Sequence, residues 1–365
     1  VDSLEKIRDE IDEIDRELLR LFEKRMEKVS AALEIKQKLN LAILQEDREK
    51  FLLEKIKKEV TNKNFLQESE DLFRCILQIS RNMQKRLLPS KKIAYQGERG
   101  SFGEQALLKY LNENLTNNFN EKYEPTNFKT FAEIFKALKE NEIKYGILPI
   151  ENSYAGGVYE VYDLLNEYNF FITGEIYTQV EHCLIGTKEA NIEDIKEVYS
   201  HPQAILQCNE FLMDHDDWLV LPYYNTAGSA KMIAEENEQR KACIASKEAA
   251  KIYELKVLAE NIQTKSDNFT RFIIIGRDLE IKDKANKISL IFSLTHKSGA
   301  LYESLGIFAL NGLNLLKIES RPTKNKPWEY NFYVDLEGNL NDYKVKRTLD
   351  IIKEKSNSFK LLGNY

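Results

Sequence analysis

The sequence predicts a multidomain fold in three parts. An all-α segment comes first, a two-lobed α/β segment follows, and a compact α+β segment of ferredoxin-like βαββαβ pattern closes the chain. Three observations predict it. No glycine occurs before Gly97, and Pro89 is the only proline of the first hundred residues, so 1–88 reads as an all-helical segment. From Lys92 short apolar runs alternate with helical stretches, which argues for α/β architecture with a largely parallel sheet over 92–277. Beyond the charged stretch Asp278–Lys287, residues 287–365 read strand, helix, strand, strand, helix, strand. A chain of 365 residues accommodates two or three such domains.

The first helix is expected over Leu4–Leu39, because Ile7, Ile11, Ile14, Leu18, Leu21, Phe22, Val29 and Ala32 form one helical stripe. A polar break near Asn40 separates it from helices over Glu46–Val60 and Glu68–Leu88. So long an apolar stripe exceeds what a three-helix monomer buries, and a dimer packing long helices together resolves this. Pro89–Lys92 reads as a linker. Strands are expected at Ile93–Tyr95, Tyr145–Ile150, Phe170–Tyr177, Val180–Ile185, Glu197–Tyr199, Leu219–Pro222, Ala242–Ala245 and Phe272–Ile275, with helices at Glu104–Leu111 and Phe131–Lys139. In the last segment, strands Ile288–Thr295, Asn314–Ser320, Tyr330–Leu336 and Phe359–Leu362 enclose helices Gly299–Leu310 and Tyr343–Lys355.

Composition is that of a soluble globular protein, 42% hydrophobic and 31% charged. The net charge of −6 and the lack of a basic stripe interleaved with aromatics argue against a nucleic-acid partner. No apolar run has the length of a membrane span, and the charged N-terminus is unlike a secretory signal. Cys75, Cys183, Cys208 and Cys243 are scattered among apolar neighbours, the pattern of free thiols in a reducing cytoplasm. The four histidines are far apart and no cluster has metal-ligand spacing, so neither a metal nor a cofactor is expected.

Two cations stand out. Arg25 and Lys36 lie within the apolar stripe; eleven residues apart, they differ by about 20° in rotation and about 16 Å along the axis. A buried cation without a partner is costly, so the two are either paired internally or reserved for an anionic ligand. Ser80 and Gln84 flank the stripe of the third helix, and Arg48 and Glu49 begin the second. With Arg8, these positions give the segment its resemblance to the all-helical chorismate mutases, over nearly its whole length. The resemblance implies an intertwined dimer in which Arg8 serves the partner's site. It also implies that Arg8, Arg25 and Arg48 hold the carboxylates of chorismate, a task suited to guanidinium forks. Lys36 and Gln84 would donate to the ether oxygen, with Glu49 and Ser80 completing the site. Gln45 stands where better-known bacterial enzymes of this family have Asp, and it is able to bond the same substrate hydroxyl.

In the middle segment several loops place polar residues at helix N-termini after strands: Gly97–Gly103, Pro149–Ser153, Ser200–Gln203 with Ser200 as cap, and Asn225–Gly228. Such termini around one cleft favour a small polyanion. The spacing G-x-x-G-x-x-G is not a nucleotide fingerprint. The string Asp267-Asn268-Phe269-Thr270-Arg271-Phe272, together with these loops, closely resembles the prephenate dehydratases over about 92–277. That resemblance implies conversion of prephenate to phenylpyruvate, water and CO₂. Thr270 would donate the proton to the leaving hydroxyl, and Glu151, Asn152, Ser200, Gln207, Asn225, Thr226, Arg271 and Phe272 would be the supporting and anchoring groups. Gln207 is expected two turns along the helix that Ser200 opens.

In the last segment Gly299-Ala300-Leu301 and Glu319-Ser320-Arg321-Pro322 resemble the two motifs of the ACT regulatory domains attached to prephenate dehydratases. This implies L-phenylalanine as effector, bound at a dimer interface. Taken whole, the chain resembles the bifunctional chorismate mutase/prephenate dehydratases of phenylalanine biosynthesis. A homodimer or homotetramer in the cytoplasm is the expected assembly. Two alternatives stand beside this reading: an arogenate dehydratase with a mutase domain, and a non-catalytic amino-acid-binding regulator.

Overall fold

The computed structural model describes residues 2–39, 41–115, 121–323 and 329–365; the break expected near Asn40 falls on a residue outside these. Residues up to Lys91 form one compact unit and those from Lys92 a second, apart from a short stretch ending at Glu124 that groups with the first.

The first unit is helical: α1 (Asp2–Lys38), α2 (Glu46–Glu59) and α3 (Leu66–Leu87), with a 3₁₀ turn at Lys63–Phe65 that the periodicity did not reveal. Asn62 opens that turn by accepting from the Asn64 N–H. Acidic residues in the first turn of α2 and lysines in its last complement the helix dipole. The third helix packs against both others. The buried set is small, with Leu33, Ile43 and Leu88 forming one cluster. Residues 3–21 of α1 are exposed throughout, including Ile7, Ile11, Ile14, Leu18 and Leu21, each about half accessible.

The second unit takes up at Lys92 within β1 (Ser90–Gln96), so Ser90–Lys92 belong to a strand and not to the expected linker. It continues α4 (Phe102–Leu115), β2 (Lys122–Phe128), α5 (Phe131–Lys139), β3 (Tyr145–Asn152), β4 (Gly156–Gly157), α6 (Tyr159–Glu167), β5 (Phe171–Gln179), β6 (Cys183–Gly186) and β7 (Glu197–Ser200). Then follow α7 (Pro202–Gln207), α8 (Asn209–Met213), β8 (Leu219–Pro222), α9 (Thr226–Glu236), β9 (Lys241–Ala245), α10 (Lys247–Ile252), β10 (Lys256–Ala259) and β11 (Phe269–Gly276). The last stretch is β12 (Lys287–Ser293), α11 (Ala300–Leu310), β13 (Leu315–Pro322), β14 (Tyr330–Glu337), α12 (Tyr343–Lys355) and β15 (Ser358–Asn364).

Among the described residues two sheets form, and both are mixed, which corrects the expectation of a largely parallel one. In the five-stranded sheet β10-β6-β9-β7-β8, β7 runs parallel to both neighbours, whereas β6 is antiparallel to both of its own. In the ten-stranded sheet β1 and β3 are parallel, but β11 lies antiparallel between β3 and β5. The reason is that β11 returns to the first lobe after the whole second lobe has been built, a long-range insertion that local alternation does not report. Apolar clusters cover both sheets.

Residues 287–365 have the sheet order β13-β14-β12-β15 with antiparallel pairs, the ferredoxin-like arrangement. Its edge strand β15 pairs with β5 through Gly363 and Ile172, so the sheet continues into that of the α/β segment. A side chain at Gly363 would put its Cβ 2.1 Å from the Ile172 carbonyl oxygen, so only glycine permits this junction. The change of pattern near Asp278 is therefore a change of fold within one unit.

Candidate functional sites

In the helical unit a cavity of about 370 Å³ opens between the three helices. Arg25 and Lys36 of α1, Gln45, Arg48 and Glu49 at the start of α2, and Ser80 and Gln84 of α3 all line it. Arg8 does not: it lies on the exposed part of α1, seventeen residues or about 25 Å before Arg25. The two cations within the apolar stripe are bonded to neutral groups. Arg25 donates to Ser80 Oγ at 2.7 Å and Lys36 Nζ donates to the Ile43 carbonyl at 2.7 Å. Ser80 in turn donates to the Ile76 carbonyl, and Gln84 Nε2 donates to the Val29 carbonyl at 2.9 Å. Burial lowers the pKa of Arg25; it lowers that of Lys36 too, against the opposing charge of Glu49.

Two charged lining residues escaped sequence reasoning. Lys28 lies one turn beyond Arg25, and Arg81 follows Ser80 and is ion-paired with Glu49. Helical spacing alone could have found Lys28. Arg81 had no signal beyond adjacency to Ser80. Five cations and one carboxylate thus face the cavity (Arg25, Lys28, Lys36, Arg48 and Arg81 against Glu49), a positive basin fit for a small dianion.

In the second unit the strand pair β3·β11 presents two faces. Thr270 lies opposite Asn152, and Arg271 opposite Glu151. Successive strand residues point to opposite sides, so Thr270 and Asn152 share one face while Arg271 and Glu151 share the other.

On the Thr270 face a chain of hydrogen bonds has a defined polarity. The Tyr154 and Ala155 N–H groups donate to Asn152 Oδ1 at 3.0 and 2.8 Å, which orients that amide. Asn152 Nδ2 therefore donates, to Asn268 Oδ1 at 2.7 Å and to Thr270 Oγ1 at 2.9 Å. Asn268 Nδ2 donates to Gln207 Oε1 at 3.0 Å, so that oxygen is the acceptor that also meets His182 Nε2 at 2.8 Å. His182 thus carries its proton on Nε2, and burial keeps its pKa below the ordinary histidine value despite the Gln207 bond. Since Thr270 Oγ1 accepts from Asn152, its own hydroxyl proton is free to donate elsewhere. Gln207, Asn268, Tyr154 and Lys265 line a small crevice at this place, with Lys265 Nζ 5.0 Å from the Tyr154 ring centroid. Asn268 stood within the string that marked the segment without being singled out, and His182 carried no signal beyond being one of four histidines far apart in sequence.

Other expected residues lie elsewhere. Ser200 ends β7 and does not cap α7; its hydroxyl donates to the Ile244 carbonyl at 2.6 Å, and His201 is the cap, through Nδ1. Gln207 ends α7, so it is not on a helix that includes Ser200. The strand runs one residue further than expected because Ser200 pairs with Pro222. Asn225 caps α9, accepting from Gly228, and Thr226 begins that helix; neither joins the Thr270 chain. Phe272 is buried on the same strand face as Thr270.

On the opposite face Arg271 is 7% exposed, and each of its three nitrogens donates to a protein group. Nε donates to Glu175 at 2.7 Å, one terminal nitrogen to Asp335 at 2.6 Å, and the other to the Tyr365 hydroxyl at 2.9 Å. Glu151 is held by Lys317 at 2.8 Å.

In the ferredoxin-like segment Ala300 and Leu301 line a cavity of about 110 Å³ with Glu329, Tyr330 and Phe332. Gly299 precedes it with φ of +80°, the left-handed region that favours glycine. Glu319, Ser320, Arg321 and Pro322 do not line that cavity within the protomer. They lie on β13, where Arg321 stacks on the Tyr159 ring at 4.1 Å and faces Asp163 at 3.8 Å.

Residues 7–85 match the family model described as chorismate mutase type II, and residues 93–280 match that described as prephenate dehydratase. A bifunctional chorismate mutase/prephenate dehydratase from Aquifex aeolicus (strain VF5) is 36% identical over 370 residues, covering 100% of this chain and 98% of its own. An arogenate dehydratase/prephenate dehydratase from Arabidopsis thaliana is 38% identical over 287 residues, covering 75% of this chain and 72% of its own. Among solved structures, a prephenate dehydratase from Arthrobacter aurescens in complex with L-Phe superposes with a TM-score of 0.66 at 28% identity, covering 75% of this chain and 89% of its own. The folds and the matches define an enzyme with two catalytic units, an isomerase and a lyase. The chain belongs to the bifunctional chorismate mutase/prephenate dehydratase family and catalyses both reactions in phenylalanine biosynthesis. Among the described residues no helix is long and apolar enough to cross a membrane.

Proposed function

We propose that the cationic cavity of the helical unit is where chorismate rearranges, and that the Thr270 face of β11 is where prephenate loses water and CO₂. The observation that carries the first assignment is the convergence of Arg25, Lys36, Arg48 and Gln84 on one cavity. The rearrangement is unimolecular and needs no nucleophile. The residues hold the dianion in its reactive conformer and stabilise charge on the ether oxygen as its C–O bond breaks. Arg25 and Arg48 bind the carboxylates; Lys36 and Gln84 turn their N–H groups from the Ile43 and Val29 carbonyls toward the ether oxygen. Gln45 and Glu49 bond the substrate hydroxyl.

The exposed stripe of α1 supports an intertwined dimer in which Arg8 enters the partner's cavity. Leu18→Glu is expected to yield a monomer with mutase activity reduced at least tenfold, read by sedimentation and by chorismate turnover. A variant that stays dimeric with full activity would remove the stripe from the interface.

For dehydration, the free hydroxyl proton of Thr270 goes to the departing ring hydroxyl while the ring carboxylate leaves as CO₂. The electron pair of the broken C–C bond enters the ring, which becomes aromatic. One proton is consumed overall and Thr270 regains its own from solvent. Asn152 holds Thr270 as acceptor, and Gln207 with Asn268 keeps Asn152 oriented. Assaying prephenate and arogenate side by side decides between dehydratase substrates, a question raised by the plant relative.

The ferredoxin-like segment acts as an ACT-type sensor for L-phenylalanine, the ligand present in the Arthrobacter structure. Gly299–Leu301 of one protomer and Glu319–Pro322 of another would meet at a dimer interface. Arg321→Ala is expected to weaken inhibition by L-phenylalanine at least tenfold, with mutase turnover retained; unchanged inhibition would exclude that motif from the effector site.

A further inference from the structure

The sequence marks Thr270 and Arg271 as neighbours in one motif, yet their side chains leave β11 on opposite faces. The face that Arg271 occupies is not open to a small molecule. Ile273 and Ile275, of the same parity, sit in the apolar cluster that includes Val161, Tyr162 and Leu165 of α6 and also Ile291, Tyr333 and Leu362 of the ferredoxin-like segment. Within this packing three carboxylates meet three cations: Glu151, Glu175 and Asp335 against Arg271, Lys287 and Lys317. The ferredoxin-like segment supplies Asp335, Lys287 and Lys317, together with the buried Tyr365 hydroxyl, which also bonds Ser289 at 2.7 Å. Arg271 is buried with a protein acceptor on each of its three nitrogens, so a substrate carboxylate would have to displace Asp335 or Glu175 and leave a buried anion unpaired.

The ladder explains why such a clamp matters. Along β3·β11 the register shifts between Arg271 and Phe272, one pair beyond Thr270–Asn152. A bulge loosens the ladder and re-aims neighbouring side chains. Arg271 ties the strand down at that irregularity.

We propose that Arg271 is a positioning residue of the dehydratase and not a substrate anchor. It clamps β11 from behind so that Thr270 stays opposite Asn152, and Asp335 and Tyr365 of the ferredoxin-like segment hold the clamp. The inference rests on Thr270 as the proton donor. It also gives the ferredoxin-like segment a direct mechanical link to the dehydratase site, one hydrogen bond and one strand residue from Thr270.

The test uses the full-length chain. Dehydratase kcat and KM for prephenate are measured for Arg271→Lys, Asp335→Asn, Tyr365→Phe and the Arg271→Lys/Asp335→Asn double variant, at a temperature where circular dichroism shows each fully folded. Mutase turnover of the same sample is the internal control. Misplacing a reacting group by a fraction of an ångström lowers kcat, whereas losing a uniform binding contact raises KM. Asp335→Asn is expected to lower kcat about tenfold with KM within about threefold. Arg271→Lys should lose more, and the double variant no more than Arg271→Lys alone, because both changes break one clamp. A KM raised at least tenfold in Arg271→Lys with Asp335→Asn unaffected would overturn the proposal, as would additive kcat losses. If Arg271→Lys does not fold, Asp335→Asn and Tyr365→Phe carry the same kcat-against-KM reading. Thr270→Ala run in parallel separates the two claims: activity retained there removes the proton-donor role, whereas a KM effect at Arg271 removes only the clamp.

Discussion

Thr270→Ala is expected to lower dehydratase kcat by about 10²–10⁴-fold, the usual range for a positioned proton donor, with mutase activity unchanged. Thr270 is 8% exposed, so alanine removes one small polar group without opening a large cavity. Asn152 Nδ2 loses an acceptor but keeps Asn268 Oδ1 and the Phe269 carbonyl, so the amide chain retains its polarity. Thr270→Ser, which restores the hydroxyl, should recover much of the rate. The measurement is phenylpyruvate formation from prephenate beside prephenate formation from chorismate on the same sample. Equal loss of both activities in a folded variant would show that the two sites are wrongly partitioned.

Lys36→Ala is expected to reduce mutase kcat/KM by about 10²–10³-fold, the cost of removing one donor to a developing oxyanion, while dehydration continues. The ammonium is half-buried on a lined cavity, so water fills the space left and the helix remains folded. Retained helicity by circular dichroism with lost chorismate turnover is the expected pair of results; retained turnover would remove Lys36 from the chemistry. Burial lowers the Lys36 pKa, and the charged form is the one required. The alkaline limb of mutase kcat/KM should therefore fall at a lower pH than for an ordinary lysine.

The helical site was the more legible of the two. A helix turns 100° per residue, so Arg25 and Lys36 had to share a face, and Ser80 and Gln84, four apart, had to share another. The cavity lies where those faces meet. What periodicity does not report is a partner across helices, and so the Arg81–Glu49 pair was invisible. In the α/β segment the helix starts were readable from cap chemistry at Asn225 and Pro202. Ser200 was misplaced because whether it caps a helix or ends a strand depends on Pro222 beside it, a residue on another strand. The mixed sheets were illegible for a similar reason: β11 enters between β3 and β5 from a point at least ninety residues beyond either.

By itself the sequence determined which residues share a face, because 3.6-residue and two-residue periods are properties of the backbone. It placed Arg25 with Lys36, but it read Thr270 and Arg271 as members of one site, with the strand expected only from Phe272. Only the tertiary structure decided which side is which. Asp335 and Tyr365, more than sixty residues on, close over Arg271, while Asn152 and Gln207, carried in from β3 and α7, leave the Thr270 proton free. Local periodicity is blind to that choice, because strand alternation is symmetric until another element packs against one face.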